Sequence, residues 1–102
     1  MSEEDRKKDF ESIVAFRKLS ALGVTTLRQA MVLLVISYQD TITTGEMAKA
    51  IGSARPNAGQ LASQLKEKGL IKWTSSIEKR RYKRVYFLTQ KGKLAVELAR
   101  KA

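Results

Sequence analysis

The feature that most narrows the fold is the chain's only proline, Pro56, which follows Gly52 with just Ser53, Ala54 and Arg55 between them. A glycine that takes positive φ ends one helix, and a proline fits the first turn of the next, where its missing N–H costs nothing. On the near side Thr43 with Glu46 forms a capping box that opens a helix of about two turns over Gly45 to Ile51. On the far side Ala58, Leu61, Ala62 and Leu65 recur at i, i+3, i+4 and i+7, which predicts a second helix ended by Gly69. A tight helix-turn-helix over residues 43–68 follows, with Arg55, Pro56, Asn57, Gln60, Ser63 and Gln64 off the apolar face.

Two helices precede this unit. Phe10, Ile13, Val14, Phe16 and Leu19 repeat at mostly helical spacing from Glu3 to Leu22, with Gly23 as the stop. Thr26 and Gln29 form another capping box, and the helix it opens carries Leu27, Ala30, Met31, Leu33, Leu34, Val35, Ile36 and Tyr38. So little polar face remains that this helix is expected at the centre of the core. Asp40 to Ile42 is expected to connect it to the helix-turn-helix.

Beyond Gly69 the residues turn β-branched and aromatic. Leu70 to Thr74 and Tyr82 to Leu88 predict two antiparallel strands of a hairpin spanning 70–88, with Ser75 to Arg81 as a polar, protruding tip. Trp73, Tyr82, Tyr86 and Phe87 are expected as core or cross-strand contacts in preference to stacking platforms for unpaired bases. Thr89 then caps a last helix over 90–101, with the stripe Leu94, Ala95, Leu98 and Ala102. The expected fold is mainly α with a small β-hairpin (α+β): one winged helix-turn-helix domain over 1–102, flanked by N- and C-terminal helices.

Composition excludes more than it suggests. The chain has no cysteine and no histidine, which removes disulfides, thiolate-bound zinc, iron–sulfur clusters, thiol catalysis and the commonest general base. No catalytic residue, metal site or cofactor is expected, and the chain is not read as an enzyme. The longest apolar run, Ala30 to Ile36, is far short of the roughly 18 residues of a membrane span, and no secretory signal opens the sequence. The expected location is the cytoplasm, with no membrane partner.

The net charge of +10 is confined to one half of the chain. Residues 1–22 and 23–54 are each neutral, whereas residues 55–102 hold thirteen basic side chains against Glu67, Glu78 and Glu97. Positive charge concentrated in this way is the footprint of a polyanion binder. Arg pairs with guanine, and Asn or Gln with adenine, so Arg55, Asn57 and Gln60 suit base reading from the major groove. Lys79, Arg80, Arg81, Lys83 and Arg84 suit phosphate neutralisation or minor-groove insertion by the hairpin.

These motifs resemble those of MarR-type winged-helix transcriptional regulators. Thr26-x-x-Gln29-x-x-Val32-Leu33 is similar to the opening of that family's second helix, and Ile42-Thr43-x-x-Glu46-Met47-Ala48-x-x-Ile51-Gly52 to its first helix-turn-helix helix. Arg55-Pro56-x-Ala58-x-x-Leu61-x-x-x-Leu65-x-x-x-Gly69-Leu70-Ile71 resembles its recognition helix and the start of the wing, and Leu88-Thr89-x-x-Gly92 the wing's end. The resemblance covers about residues 24–98. It implies a homodimer on a pseudo-palindromic operator in double-stranded DNA, acting as a repressor, with Arg55, Pro56, Asn57, Gln60 and Gln64 toward the major groove. Phe10, Ile13, Val14 and Phe16, with Leu94 and Leu98, are the expected dimer interface; the first helix otherwise covers the central one. A small-molecule effector stays open. The competing expectations are an architectural or replication accessory of slight sequence preference, and a winged-helix module that docks a protein.

Overall fold

The computed structural model describes residues 2–38 and 42–102, except for the side chains of Glu78, Arg81 and Tyr82. Its elements run α1 (Glu3–Leu22), α2 (Leu27–Tyr38), α3 (Thr44–Ile51), α4 (Arg55–Glu67), β1 (Ile71–Glu78), β2 (Arg81–Leu88) and α5 (Gln90–Lys101). The expected Asp40-to-Ile42 connection lies outside the described residues except for Ile42.

Local chemistry sets most of these boundaries. Ser2 Oγ accepts from the Asp5 N–H at 3.2 Å, and Glu3, Glu4 and Asp5 follow in the first turn of α1, where carboxylates complement the helix dipole. The Thr26–Gln29 box closes in both directions, with Gln29 N–H donating to Thr26 Oγ1 at 3.2 Å and Thr26 N–H to Gln29 Oε1 at 3.3 Å. At the end of α3, Gly52 takes φ 67°. Ser53 N–H then reaches Ala48 O at 2.9 Å and Gly52 N–H reaches Lys49 O at 3.3 Å, the paired bonds of a Schellman end. Pro56 occupies the first turn of α4, whose N-cap Ala54 supplies no side-chain bond.

Helix α2 touches α3, α4, α5 and β2, and its buried Val32, Leu33 and Ile36 meet Met47 of α3, Leu65 of α4 and Tyr86 of β2 in one apolar cluster. Its two ends depart from the expected all-round burial, because Leu27 and Tyr38 are each 78% exposed. The segment before α3 joins the sheet edge, where Tyr86 N–H donates to Ile42 O at 3.2 Å. Tyr86 is fully buried, and its hydroxyl lies 2.7 Å from Thr44 Oγ1, which satisfies the one polar atom this ring brings into the core.

The first helix does not cover α2. It packs mainly on α5, buries only Ala15 and Leu19, and leaves a molecule 58 × 24 × 21 Å in extent. The radius of gyration, 15.2 Å, exceeds the roughly 13 Å of a compact chain this long. Among the described residues no single helix is long and apolar enough to cross a membrane.

The hairpin corrects the expected long tip. Strands β1 and β2 pair without a break from Ile71↔Leu88 to Glu78↔Arg81, leaving only Lys79 and Arg80 in the turn, at φ 51° and 64°. Two central residues of positive φ make the turn that matches strand twist, although Asn and Gly are its usual occupants. Left-handed backbone at a side-chain-bearing residue costs about 1 kcal/mol. Arg80→Gly is therefore expected to slow amide exchange at the strand ends beside the turn while weakening DNA binding. Unchanged or faster exchange would show that the turn is not strained.

Candidate nucleic-acid interface

Helix α4 turns Ala58, Ala62 and Leu65 into the core. The 3.6-residue repeat then carries Arg55, Pro56, Asn57, Gln60 and Gln64 outward, and all five are exposed. Within α4 they stand on the surface that the core leaves free. Gly59 lies where α4 crosses α3; a β-carbon there would meet only Thr44 Cγ2, at 3.9 Å. The Arg55 guanidinium lies over the start of α3, with Nη2 3.6 Å from where a β-carbon on Gly45 would sit. Among the described residues the one ion pair is Lys8 with Glu4, at 3.9 Å on exposed α1, so no carboxylate neutralises Arg55 there.

The wing cations whose side chains are described do not form one cluster. Lys79 and Arg80 are exposed at the turn, and the Arg81 side chain is outside the described residues. On β2, side chains alternate between faces, so Lys83 and Arg84, both exposed, project from opposite sides of the hairpin. Arg84 shares its face with buried Tyr86, and its guanidinium carbon lies 4.6 Å from the centre of the Trp73 ring. Lys66 Nζ approaches the same ring at 4.2 Å, and Trp73 meets Tyr86 edge-on at 5.6 Å.

Trp73 therefore serves as a half-buried bracket, fixed by Tyr86 and holding a cation from α4 and one from β2, each within range of a cation–π attraction. This is the cross-strand role expected for Trp73 and Tyr86; the side chain of Tyr82 is outside the described residues. Lys66 is one of the thirteen basic side chains of residues 55–102, but it lies in the last turn of α4 and only the fold brings it to β2. Arg28 lies in a segment of zero net charge, where charge pattern gives it no prominence. Its Nη1 donates to Ser53 Oγ at 3.3 Å, which sets a further cation beside the turn between α3 and α4.

The expected dimer residues separate in the same way. Phe10, Ile13 and Phe16 are 67%, 56% and 57% exposed, and Leu94 of α5 is 48% exposed. Val14 is partly buried. Leu98 is a correction: at 9% exposure it belongs to the core cluster, because α5 turns it inward with Ala95 and Val96. It has no surface to offer a second chain.

The order of helices, with a basic hairpin following the second helix of the helix-turn-helix, is that of a winged helix, and a profile of the MarR family matches residues 22–81. The chain belongs to the MarR family. Solved structures agree on the fold. The MepR–DNA complex of S. aureus superposes with a TM-score of 0.72 at 21% identity, covering 95% of this chain and 77% of that one. A mutant of the same MepR bound to an oligodeoxyribonucleotide gives 0.70 at 26% identity, covering 94% and 70%. RV1404 from Mycobacterium tuberculosis gives 0.75 at 19% identity; the match covers 96% of this chain but 65% of RV1404, under two thirds of its length. Comparison with curated proteins by sequence returns no match.

Proposed function

We propose that this MarR-family regulator binds a pseudo-palindromic operator in double-stranded DNA as a homodimer and represses transcription by occluding the promoter. The observation that carries the reading is the outer face of α4. It presents Arg55, Asn57, Gln60 and Gln64 to solvent beside a hairpin bearing Lys79, Arg80, Arg81, Lys83 and Arg84. A helix fits the major groove, and donors and acceptors on its free face reach base edges there.

In this arrangement Pro56 rigidifies the leading turn of α4, Arg55 and Asn57 read bases at its start, and Gln60 and Gln64 read one and two turns further on. Lys79 and Arg80 at the wing turn reach the minor groove or its phosphates, and Arg84 and Lys66, held by Trp73, take the backbone beside them. That MepR, of the same fold, has been solved bound to DNA and to an oligodeoxyribonucleotide supports DNA as the ligand. The whole of residues 1–102 acts as one domain, in the cytoplasm, and the role requires no catalytic step.

The paired chain is built through Phe10, Ile13 and Phe16 of α1, joined by Leu94 of α5. Apolar side chains this exposed are costly to leave in water and are covered by a two-fold copy of themselves. Two α4 helices then enter successive major grooves about 34 Å apart.

Selecting bound duplexes from a random pool tests the reading. A two-fold motif with half-sites about one turn apart, bound roughly 10³-fold or more tighter than scrambled DNA, is the expected result. Unselective binding that collapses with salt would overturn it. On the selected operator, Arg55→Ala is expected to cost about 1–3 kcal/mol of discrimination at one base position. Arg80→Ala should weaken all sequences alike and reduce the salt slope by about one. Equal losses on operator and scrambled DNA from Arg55→Ala would remove it from base reading.

A further inference from the structure

Gln29 is the one buried polar side chain among the described residues, 4% exposed in the first turn of α2. Its Oε1 accepts from the backbone N–H of Thr25 at 2.8 Å and of Thr26 at 3.3 Å. Backbone N–H groups only donate, so this atom is fixed as the carbonyl oxygen and the other end of the amide as NH₂. That NH₂ lies 3.4 Å from Gln64 Oε1 on α4. A donor facing Gln64 requires an acceptor in return, so the oxygen of Gln64 turns inward and its NH₂ outward. No described residue takes up that outward NH₂, and Gln64 is exposed.

We propose that buried Gln29 sets the base preference of Gln64, making it a donor-only reader that selects guanine. An unconstrained glutamine reads adenine with both ends of its amide, donating to N7 and accepting from N6. With its oxygen committed to Gln29, Gln64 has only hydrogens to offer, and guanine presents two acceptors, N7 and O6, on the major-groove edge. Gln29 is thus a positioning residue: it touches no DNA, and the polarity of the capping box that starts α2 is passed to the recognition helix. The inference rests on α4 lying in the major groove.

The test is Gln29→Glu. Glu serves the capping box as well as Gln does, so one carboxylate oxygen keeps the Thr25 and Thr26 bonds while the other becomes an acceptor. Gln64 must then turn its NH₂ inward and expose its oxygen. In random-pool selection the wild type is expected to prefer guanine at one position per half-site. The variant, left with an acceptor to present, should shift that position by about tenfold in relative affinity toward the bases that carry a major-groove amino donor, adenine and cytosine, with the other positions unchanged. Gln64→Met should abolish preference at that same position.

A folded Gln29→Glu protein, checked by circular dichroism, that selects the wild-type motif at every position would overturn the proposal. A change at a position Gln64→Met does not affect would overturn it equally. Should Gln29→Glu fail to fold, 7-deazaguanine placed at that position of the operator decides the matter. Weaker binding by the wild type but not by Gln64→Met supports the assignment, and equal response of the two refutes it. If the wild type selects no motif, operator binding itself fails; a motif without a Gln64-dependent position defeats this inference alone.

Discussion

Glutamate in place of Phe10, Ile13 and Phe16 is expected to lower operator affinity by about two to four orders of magnitude without unfolding the winged helix. The size of the effect comes from linkage. Two half-site contacts made by one dimer gain an effective concentration that separated monomers lack, worth roughly 10²- to 10⁴-fold. The fold should survive because these side chains are 67%, 56% and 57% exposed, whereas α1 packs on α5 and buries Ala15 and Leu19. Sedimentation of the variant should show a monomer, and anisotropy titration should give operator binding close to that of an isolated half-site. A variant that remains dimeric would move the interface elsewhere. A monomer of unchanged affinity would remove the dimer from the mechanism.

Gly92→Ala is expected to destabilise the protein by about 3 kcal/mol or more, lowering Tm by on the order of 15 °C or preventing folding. Gly92 is buried in the first turn of α5. A β-carbon on it would run into the Leu70 carbonyl oxygen, with Leu70 C at 3.1 Å and Leu88 Cδ2 at 3.3 Å. That oxygen is held by the Thr89 N–H, which donates to it at 3.1 Å; the Thr89 hydroxyl lies 3.0 Å away but is closer to Gly69 O, at 2.6 Å. The junction of wing and α5 would have to open. Gly59→Ala is the control, because its β-carbon would meet only Thr44 Cγ2 at 3.9 Å, and helix propensity makes it neutral or stabilising by up to about 1 kcal/mol. Equal thermal stability of the two alanine variants would show that the Leu70–Gly92 contact is not tight in solution.

Helix ends were readable because their chemistry is local. Thr26 with Gln29, Thr43 with Glu46, and Gly52 act within five residues; the first box closes in both directions and Gly52 ends α3, whereas Thr43 caps the Glu46 N–H but the Glu46 carboxylate accepts from the Thr43 hydroxyl at 2.9 Å and not from its backbone N–H. The wing was less readable. Ser75 to Arg81 is polar and short of strong strand formers, so pattern alone predicts a loop there. Cross-strand pairing carries β1 on to Glu78, because ladder hydrogen bonds depend on the partner strand and not on intrinsic preference. Leu98 fits a surface stripe as well as a core stripe by spacing; only the rotation of α5 in the packed fold decides that it points inward.

The sequence by itself determined the order of elements, the outward set on α4 and the half of the chain that carries the net charge, all consequences of periodicity, capping and composition. It could not determine how side chains far apart in sequence share a contact. The bracketing of Lys66 and Arg84 by Trp73, the clash that keeps position 92 a glycine, and the bond from Gln29 to Gln64 each join separate elements. Such contacts exist only once α2, α4, the wing and α5 have packed on one another, because hydrogen-bond polarity, ring stacking and steric exclusion act over a few ångströms of space whatever the separation along the chain.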